Sequence, residues 1–248
     1  YDNRDTGLSS RIQNDSFNKD NVNKTIIRNY IRYYLRLPIK SEYTIDDMAD
    51  DGVSVLDHLN IENAHILGIS MGGMIAQIMA SSYPEKTKTF TLIASTASTP
   101  SPFNGPSKDV RRLFIERTKN VDATIEDRVN RTKKLFKLIG YQGIDLDTQE
   151  FSDNVKLSIE RGGVDDTGFG RQLTAILGSK NRIEKVRSIS APTLIIHGKE
   201  DPLIGVKNAY RSNKLIKGSK LVIIDNMRHL IEPPVFDQFK SDLLAHLK

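Results

Sequence analysis

Residues His65 to Gly73 read HILGISMGG, and the fold turns on whether Ser70 is a nucleophile on a sharp turn or a serine among glycines. With glycine near 7% of an average chain, a Gly-x-Ser-x-Gly match arises by chance in about one chain of this length in ten. The flanks decide. Ala64 to Ile69 is a short apolar run with the signature of a buried strand, and Met74, Ile75, Ile78 and Met79 follow as an apolar helix that must stop before Pro84. A strand that turns into a helix through small residues is what a nucleophile elbow requires, because the turn exposes the serine Oγ. A phosphate loop is the competing glycine-rich reading. It fails because Met74 and Ile75 stand where Lys and Ser or Thr belong.

Working outward, Thr44 with Asp47 three residues on forms a capping-box-like start. Met48, Ala49, Val53, Leu56 and Leu59 then recur at helical spacing. Phe90 to Ala94, Thr193 to His197 and Leu221 to Ile224 read as further buried strands. Val235, Phe236, Phe239, Leu243 and Leu247 mark the inner stripe of a last helix. Buried strands alternating with helices specify a mostly parallel sheet flanked by helices, the α/β class. Between Thr99 and Ser190 the strand signal gives way to charged amphipathic helices. The stretch TPSPFNGPS marks the entry and Ser190-Ala191-Pro192 the exit. The expected organisation is therefore residues 1–98 as the first part of the core, 99–190 as an inserted helical cap, and 191–248 as the second part of the core.

Composition excludes several classes. The 248 residues are 38% hydrophobic and 27% charged, an ordinary globular balance. No run of apolar residues is long enough for a membrane span. The absence of cysteine removes disulfides, thiolate metal sites and a cysteine nucleophile. The formal charge of +5, from 36 basic and 31 acidic residues, is scattered and gives no nucleic-acid footprint.

A serine hydroxyl needs a base, and the base needs a carboxylate to hold its tautomer. LIIHGKEDPL carries Asp201 just past one predicted strand, and LVIIDNMRHLIEPP carries His229 just past the next. The order Ser70, Asp201, His229 is that of hydrolases built on a nucleophile elbow. All three fall at carboxyl ends of strands, where open α/β sheets place their sites. Asp201, preceding Pro202, also reads as a turn initiator, and His197 as a hydrogen-bonded structural histidine.

These residues resemble the α/β-hydrolase superfamily over nearly the whole chain. DNRDTGLSS looks like the loop after the fourth strand, GISMGG the elbow, APTLIIHGKEDPL the acid strand and DNMRHLIEPP the histidine loop. RGGVDDTGFGRQLTAILGSKNR is similar to the bacterial branch that contains aclacinomycin methylesterase.

The resemblance implies cleavage of a small-molecule carboxylic ester, including a methyl ester, through an acyl-enzyme on Ser70. His229 would be base and then acid, Asp201 its orienting partner, and the Met71 backbone N–H an oxyanion donor. It implies no cofactor and no metal; with the scattered charge, no nucleic-acid partner is expected, the expected location is cytoplasmic with a signal peptide upstream of Tyr1 left open, and the oligomeric state is open too. Lactone opening, thioester cleavage or acyl transfer on the same triad stay open, as does a catalytically dead ligand-binding homologue.

Arg228 stands where members of this branch often carry glycine and is a candidate for substrate preference. Phe103, Phe114, Phe136 and Phe169 are candidates for lining a substrate pocket. The chain opens at Tyr1 without Met. The superfamily's first strands, and the His-Gly loop that gives the second oxyanion donor, are expected upstream of it. The expectation is an N-terminally truncated chain with an exposed strand edge and low activity or solubility.

Overall fold

The computed structural model describes residues 1–12, 22–98, 105–119, 123–162, 166–179 and 181–248; Phe103 lies outside the described residues. In chain order the first elements are α1 (Val22–Tyr34), α2 (Ile45–His58), β1 (Ala64–Ile69), α3 (Met71–Ser82) and β2 (Thr87–Ile93). The helices α4 (Lys108–Lys119), α5 (Ile125–Ile139), α6 (Gln149–Gly162), α7 (Asp166–Gly178) and α8 (Ile183–Arg187) follow. β3 (Thr193–Gly198), α9 (Lys207–Leu215), β4 (Lys220–Ile224) and α10 (Pro233–His246) close the chain. They group into two compact units, one of Tyr1–Thr44 with Ser107–Gly178 and one of Ile45–Pro106 with Ser179–Lys248.

The second unit holds the sheet. Its strands run in the order β1-β2-β3-β4, all parallel, with Ile66 opposite Phe90, Ile93 opposite Ile196 and Ile196 opposite Val222. The central strands β2 and β3 are buried almost throughout, which is why they read as continuous apolar runs. Phe90, Leu92 and Ile195 share a core with Ala76 and Ala80 of α3, Val186 of α8 and Ala209 of α9. Full burial of each large side chain there contributes roughly 1.5–3 kcal/mol. α2 packs on α3, α3 on β1 and β2, and α9 and α10 on β3 and β4. Among the described residues β1 and β4 are the edge strands, and Leu67 and Ile69 of β1 are exposed.

The parallel sheet expected from the sequence is present, with shifted ends. β2 begins at Thr87, three residues before the expected start, because Thr87 and Thr89 are β-branched and pair well without counting as apolar. Thr89 Oγ1 lies 2.8 Å from His65 Nδ1 on the neighbouring strand. β2 ends at Ile93 because Ala94 turns to φ 45°. In α10 Val235, Phe239 and Leu243 are buried, while Phe236 and Leu247 of the expected stripe are half-buried. Its two leading prolines suit a first turn whose N–H groups have no intrahelical acceptor.

The first unit is helical. α1 packs on α4 and α7, α4 on α5 and α7, and α5 on α6. α5 opens on a complete capping box: Asp127 N–H donates to Thr124 Oγ1 at 3.1 Å, and Thr124 N–H donates to Asp127 Oδ2 at 3.0 Å. Val22 and Ile26 pack with Tyr30 and Leu173. No helix among the described residues is long and apolar enough to cross a membrane.

Candidate active site

Ser70 is the residue between β1 and α3, and its backbone stands at φ 54°, ψ −118°. That conformation costs a non-glycine residue about 1–3 kcal/mol and persists only where its surroundings over-determine it. Both backbone groups of Ser70 are tied down. Its N–H donates to Ile93 O at 3.0 Å, and its carbonyl accepts from Ser95 Oγ at 2.7 Å and from Met74 N–H at 3.2 Å. The glycines allow the close passage. A Cβ on Gly68 would stand 2.2 Å from Gly72 O, and one on Gly73 would stand 2.6 Å from Ser95 Cβ. Met71 is the first residue of α3, so its N–H has no intrahelical acceptor and sits at the positive end of the helix.

The segment that holds Ser70 is fixed from behind by Arg182, which is 2% exposed. Its guanidinium donates to Thr96 O at 3.1 Å and to Gln77 Oε1 at 3.3 Å, and Gln77 Nε2 donates to Thr96 O at 3.2 Å. Burial pulls Arg182 down to about 10. Nothing in the sequence separates this arginine from surface cations.

Asp201 stands three residues past the end of β3 and His229 five past the end of β4. His229 Nδ1 donates to Asp201 Oδ2 at 2.7 Å, and the two residues are 4% and 7% exposed. A carboxylate can only accept here, so Nδ1 carries a proton, and in the neutral ring the lone pair of Nε2 is the one left for a base's work. The other oxygen, Oδ1, accepts the N–H groups of Leu203 and Ile204 at 2.8 Å each. The turn-initiating and the histidine-holding readings of Asp201 are therefore both correct, one oxygen for each. Burial by itself would raise this carboxyl. The hydrogen bonds from His197 and His229, the charge interaction with His229 and the Ile204 N–H outweigh it and hold Asp201 at about 2.

His197 is fully buried and donates through Nε2 to Ile204 O at 2.7 Å, with the same nitrogen 3.4 Å from Asp201 Oδ2. It braces the turn that carries Asp201. Gly198 lets the two loops meet, since a Cβ there would lie 2.2 Å from the carbonyl oxygens of both Met227 and Arg228. Glu200 N–H donates to Met227 O at 3.2 Å and Lys199 N–H to Ile224 O at 2.9 Å, which ties the two loops together.

Because the strands are parallel, Ser70, Asp201 and His229, which follow β1, β3 and β4 respectively, all lie toward the carboxyl end of the sheet. Arg228 is half-buried beside His229 in the chain. Of the aromatic candidates, Phe114, Phe136 and Phe169 belong to the helical unit. Phe136 packs edge-on against Phe151 with centroids 5.2 Å apart, and Phe114 lies 5.9 Å from Phe169.

Residues 1–231 match the family described as alpha/beta hydrolase fold. The chain is 24% identical over 263 positions to rhodomycin D methylesterase DnrP of Streptomyces peucetius, covering 100% of this chain and 80% of that protein. This bears out the resemblance to the methylesterase branch. It is 24% identical over 207 positions to 3-oxoadipate enol-lactonase 1 of Acinetobacter baylyi, covering 83% and 73%. Among solved structures, the enol-lactonase from Burkholderia xenovorans LB400 aligns with a TM-score of 0.70 at 18% identity, covering 100% of this chain and 79% of that one. The sheet order, the strained serine between strand and helix, and the match over residues 1–231 lead to one conclusion: the chain belongs to the alpha/beta hydrolase fold family.

Proposed function

We propose that this chain hydrolyses a carboxylic ester of a small molecule, with Ser70 as nucleophile, His229 as base and acid, and Asp201 as its orienting partner. The observation that carries the reading is the 2.7 Å bond from His229 Nδ1 to Asp201 Oδ2, which leaves Nε2 of the neutral imidazole as the acceptor, at the sheet end that also bears Ser70. Ser70 Oγ attacks the ester carbonyl and passes its proton to His229 Nε2. The Met71 N–H stabilises the oxyanion, and the alcohol leaves with the proton from Nε2. Water then gives a proton to Nε2 and its oxygen to the acyl carbon, which releases the acid and restores Ser70. The balance closes without a cofactor.

A methyl ester is the favoured substrate class, supported by the rhodomycin D methylesterase relative along the whole chain. Lactone opening is the second reading. It uses the same steps with the alcohol still tethered, and it is supported by the 3-oxoadipate enol-lactonase relative. The division at residues 98 and 190 belongs to the same proposal. The segments 1–98 and 191–248 supply the reacting groups, and the inserted segment acts as a cap, with Phe114, Phe136 and Phe169 among its candidate substrate contacts. Arg228, next to the base, is proposed to select among esters, so Arg228→Gly should change the ester spectrum.

Labelling with a fluorophosphonate probe tests the core of the reading. The wild-type chain should label at Ser70, and both Ser70→Ala and His229→Ala should abolish or severely slow it. Labelling that survives Ser70→Ala would sink the assignment. Methyl ester and lactone panels then separate the two substrate classes.

A further inference from the structure

The helix α1 is apolar on two faces. Its inward face is held in place: Val22 and Ile26 are buried and pack with Tyr30 and Leu173, and Asn29 Nδ2 donates to Thr174 Oγ1 of α7 at 3.2 Å. Its outward face carries Ile27 and Ile31, four residues apart and therefore in one row along the helix. Leu35, whose N–H donates to Ile31 O at 3.0 Å, extends the row one residue past the helix. All three side chains are exposed, Ile31 at 55% and Leu35 at 64%. Tyr34 is exposed beside them and accepts from Arg111 Nη1 of α4 at 3.0 Å, and Leu37 is exposed just beyond. The outer face of a helix in a globular unit is ordinarily polar. A contiguous exposed apolar row instead marks a surface that meets a partner.

The charges around the row say what kind of partner. Lys24, Arg28 and Arg32 stand three residues before Ile27, Ile31 and Leu35, and residues three apart are neighbours on a helix, so a row of cations runs along the apolar row. Lys24 and Arg28 are exposed, and Arg32 is half-buried with Nε donating to Pro38 O at 2.7 Å. No Asp or Glu occurs between Asp20 and Glu42. From Gln13 to Ser41, Lys19, Lys24, Arg28, Arg32, Arg36 and Lys40 stand against Asp15 and Asp20, a net +4. That surplus remains with both carboxylates paired, and exposed ion pairs are weak enough to yield to a denser anionic surface.

We propose that the outward face of α1 docks this chain on an anionic lipid surface, with Ile27, Ile31, Tyr34 and Leu35 entering the boundary between headgroups and acyl chains and the cation row meeting the headgroups. Such a boundary offers apolar depth and negative charge side by side, which is the pairing that α1 displays. A second copy of the chain would set one cation row against another, and a nucleic acid would leave the aliphatic row in water. No residue of α1 belongs to the proposed triad or to the aromatic candidates, so the proposal is independent of the hydrolase reading.

Co-sedimentation of the full chain with vesicles tests it, using phosphatidylcholine alone and phosphatidylcholine mixed with phosphatidylglycerol. Binding to the mixed vesicles is expected, clearly stronger than to phosphatidylcholine alone and weakened by added salt. Ile31→Ser with Leu35→Ser should weaken it by about tenfold or more. Lys24→Gln with Arg28→Gln should weaken it by about fivefold for each cation removed. Leu157→Ser is the control, because Leu157 is exposed on α6 and lies outside the row. Failure to bind the mixed vesicles, equal binding to both vesicle types, binding untouched by the serine pair, or an equal loss in Leu157→Ser overturns the proposal. A chain that sediments as a dimer and ignores vesicles also overturns it, by giving the face to a second copy. The wild-type comparison of the two vesicle types decides even if a variant fails to fold.

Discussion

Arg171 grips Asp5 with two parallel hydrogen bonds, Nε to Oδ2 at 2.9 Å and Nη2 to Oδ1 at 2.8 Å, with both side chains at 3% exposure or less. The pair joins α7 to the N-terminal loop across 166 positions of sequence. Removing one partner of such a pair strands a buried charge, which costs about 3–5 kcal/mol, while replacing both is far milder. Arg171→Met should therefore destabilise the helical unit by about that amount, and Asp5→Asn with Arg171→Met by clearly less. Denaturant unfolding followed by far-UV circular dichroism measures both, and equal losses in the single and double variants would contradict the account.

The low Asp201 value makes a second prediction about acid. Its folded value, about 2, lies below the ordinary 3.8, so the folded state favours the ionised carboxylate. That stabilisation is complete above about pH 4 and disappears as pH falls through about 2; the shift is on the order of 2 kcal/mol. Asp201→Asn should flatten the acid limb of stability between those values. The same variant presents an amide that can donate to His229 Nδ1, which favours the wrong tautomer, so turnover should drop by roughly 10⁴-fold. A stability curve against pH and an ester assay read the two effects separately.

The two glycines of the Gly-x-Ser-x-Gly signature should behave differently. Gly68→Ala brings a Cβ within 2.2 Å of Gly72 O, a backbone atom that cannot yield without moving the elbow. Gly72 has nothing within 4 Å of an added Cβ and lies in the first turn of α3. Gly68→Ala should lose labelling at Ser70 and at least about 2 kcal/mol of stability. Gly72→Ala should be neutral or gain up to about 1 kcal/mol from helix propensity. Thermal melts of the two variants, run side by side, check the contrast.

The elbow and the strands were legible because their signals are local. Apolar runs mark β1, β3 and β4, and the proline at 84 marks where α3 must stop. The pairing of Asp201 with His229 was legible from order and strand ends alone. What stayed hidden depends on partners far away in the chain. Asp5 and Arg171 look like ordinary surface charges until the fold brings them together, and so does Arg182, whose role is to hold Thr96 and Ser98 near the elbow. α1 was missed for a related reason. Its inward residues Val22 and Ile26 are few, while Ile27 and Ile31 are exposed and blur the stripe. The grouping of residues 1–44 with the helices of 107–178 rests on such long-range contacts and left no local trace.

The contact between Gly198 and the histidine loop gives the last prediction. The Gly198 backbone packs directly beneath the carbonyls of Met227 and Arg228, and Met227 is fully buried, so the loop has no room to retreat. Gly198→Ala must push residues 227–229 outward and lengthen the bond between Asp201 and His229. His197→Leu attacks the same geometry from the other side, by removing the donor that braces Ile204 O and the Asp201 turn. A misplacement near 1 Å costs about 10²-fold in rate. Both variants should therefore lose kcat by about that factor with little change in KM, because Gly198 has no side chain and His197 is fully buried at the end of β3. An effect on KM alone would mean that the two residues shape binding and leave the base untouched. Since His197 also helps to hold Asp201 ionised, His197→Leu should raise that carboxyl and move the acid limb of the stability curve to higher pH, and a merely structural role would leave that limb in place.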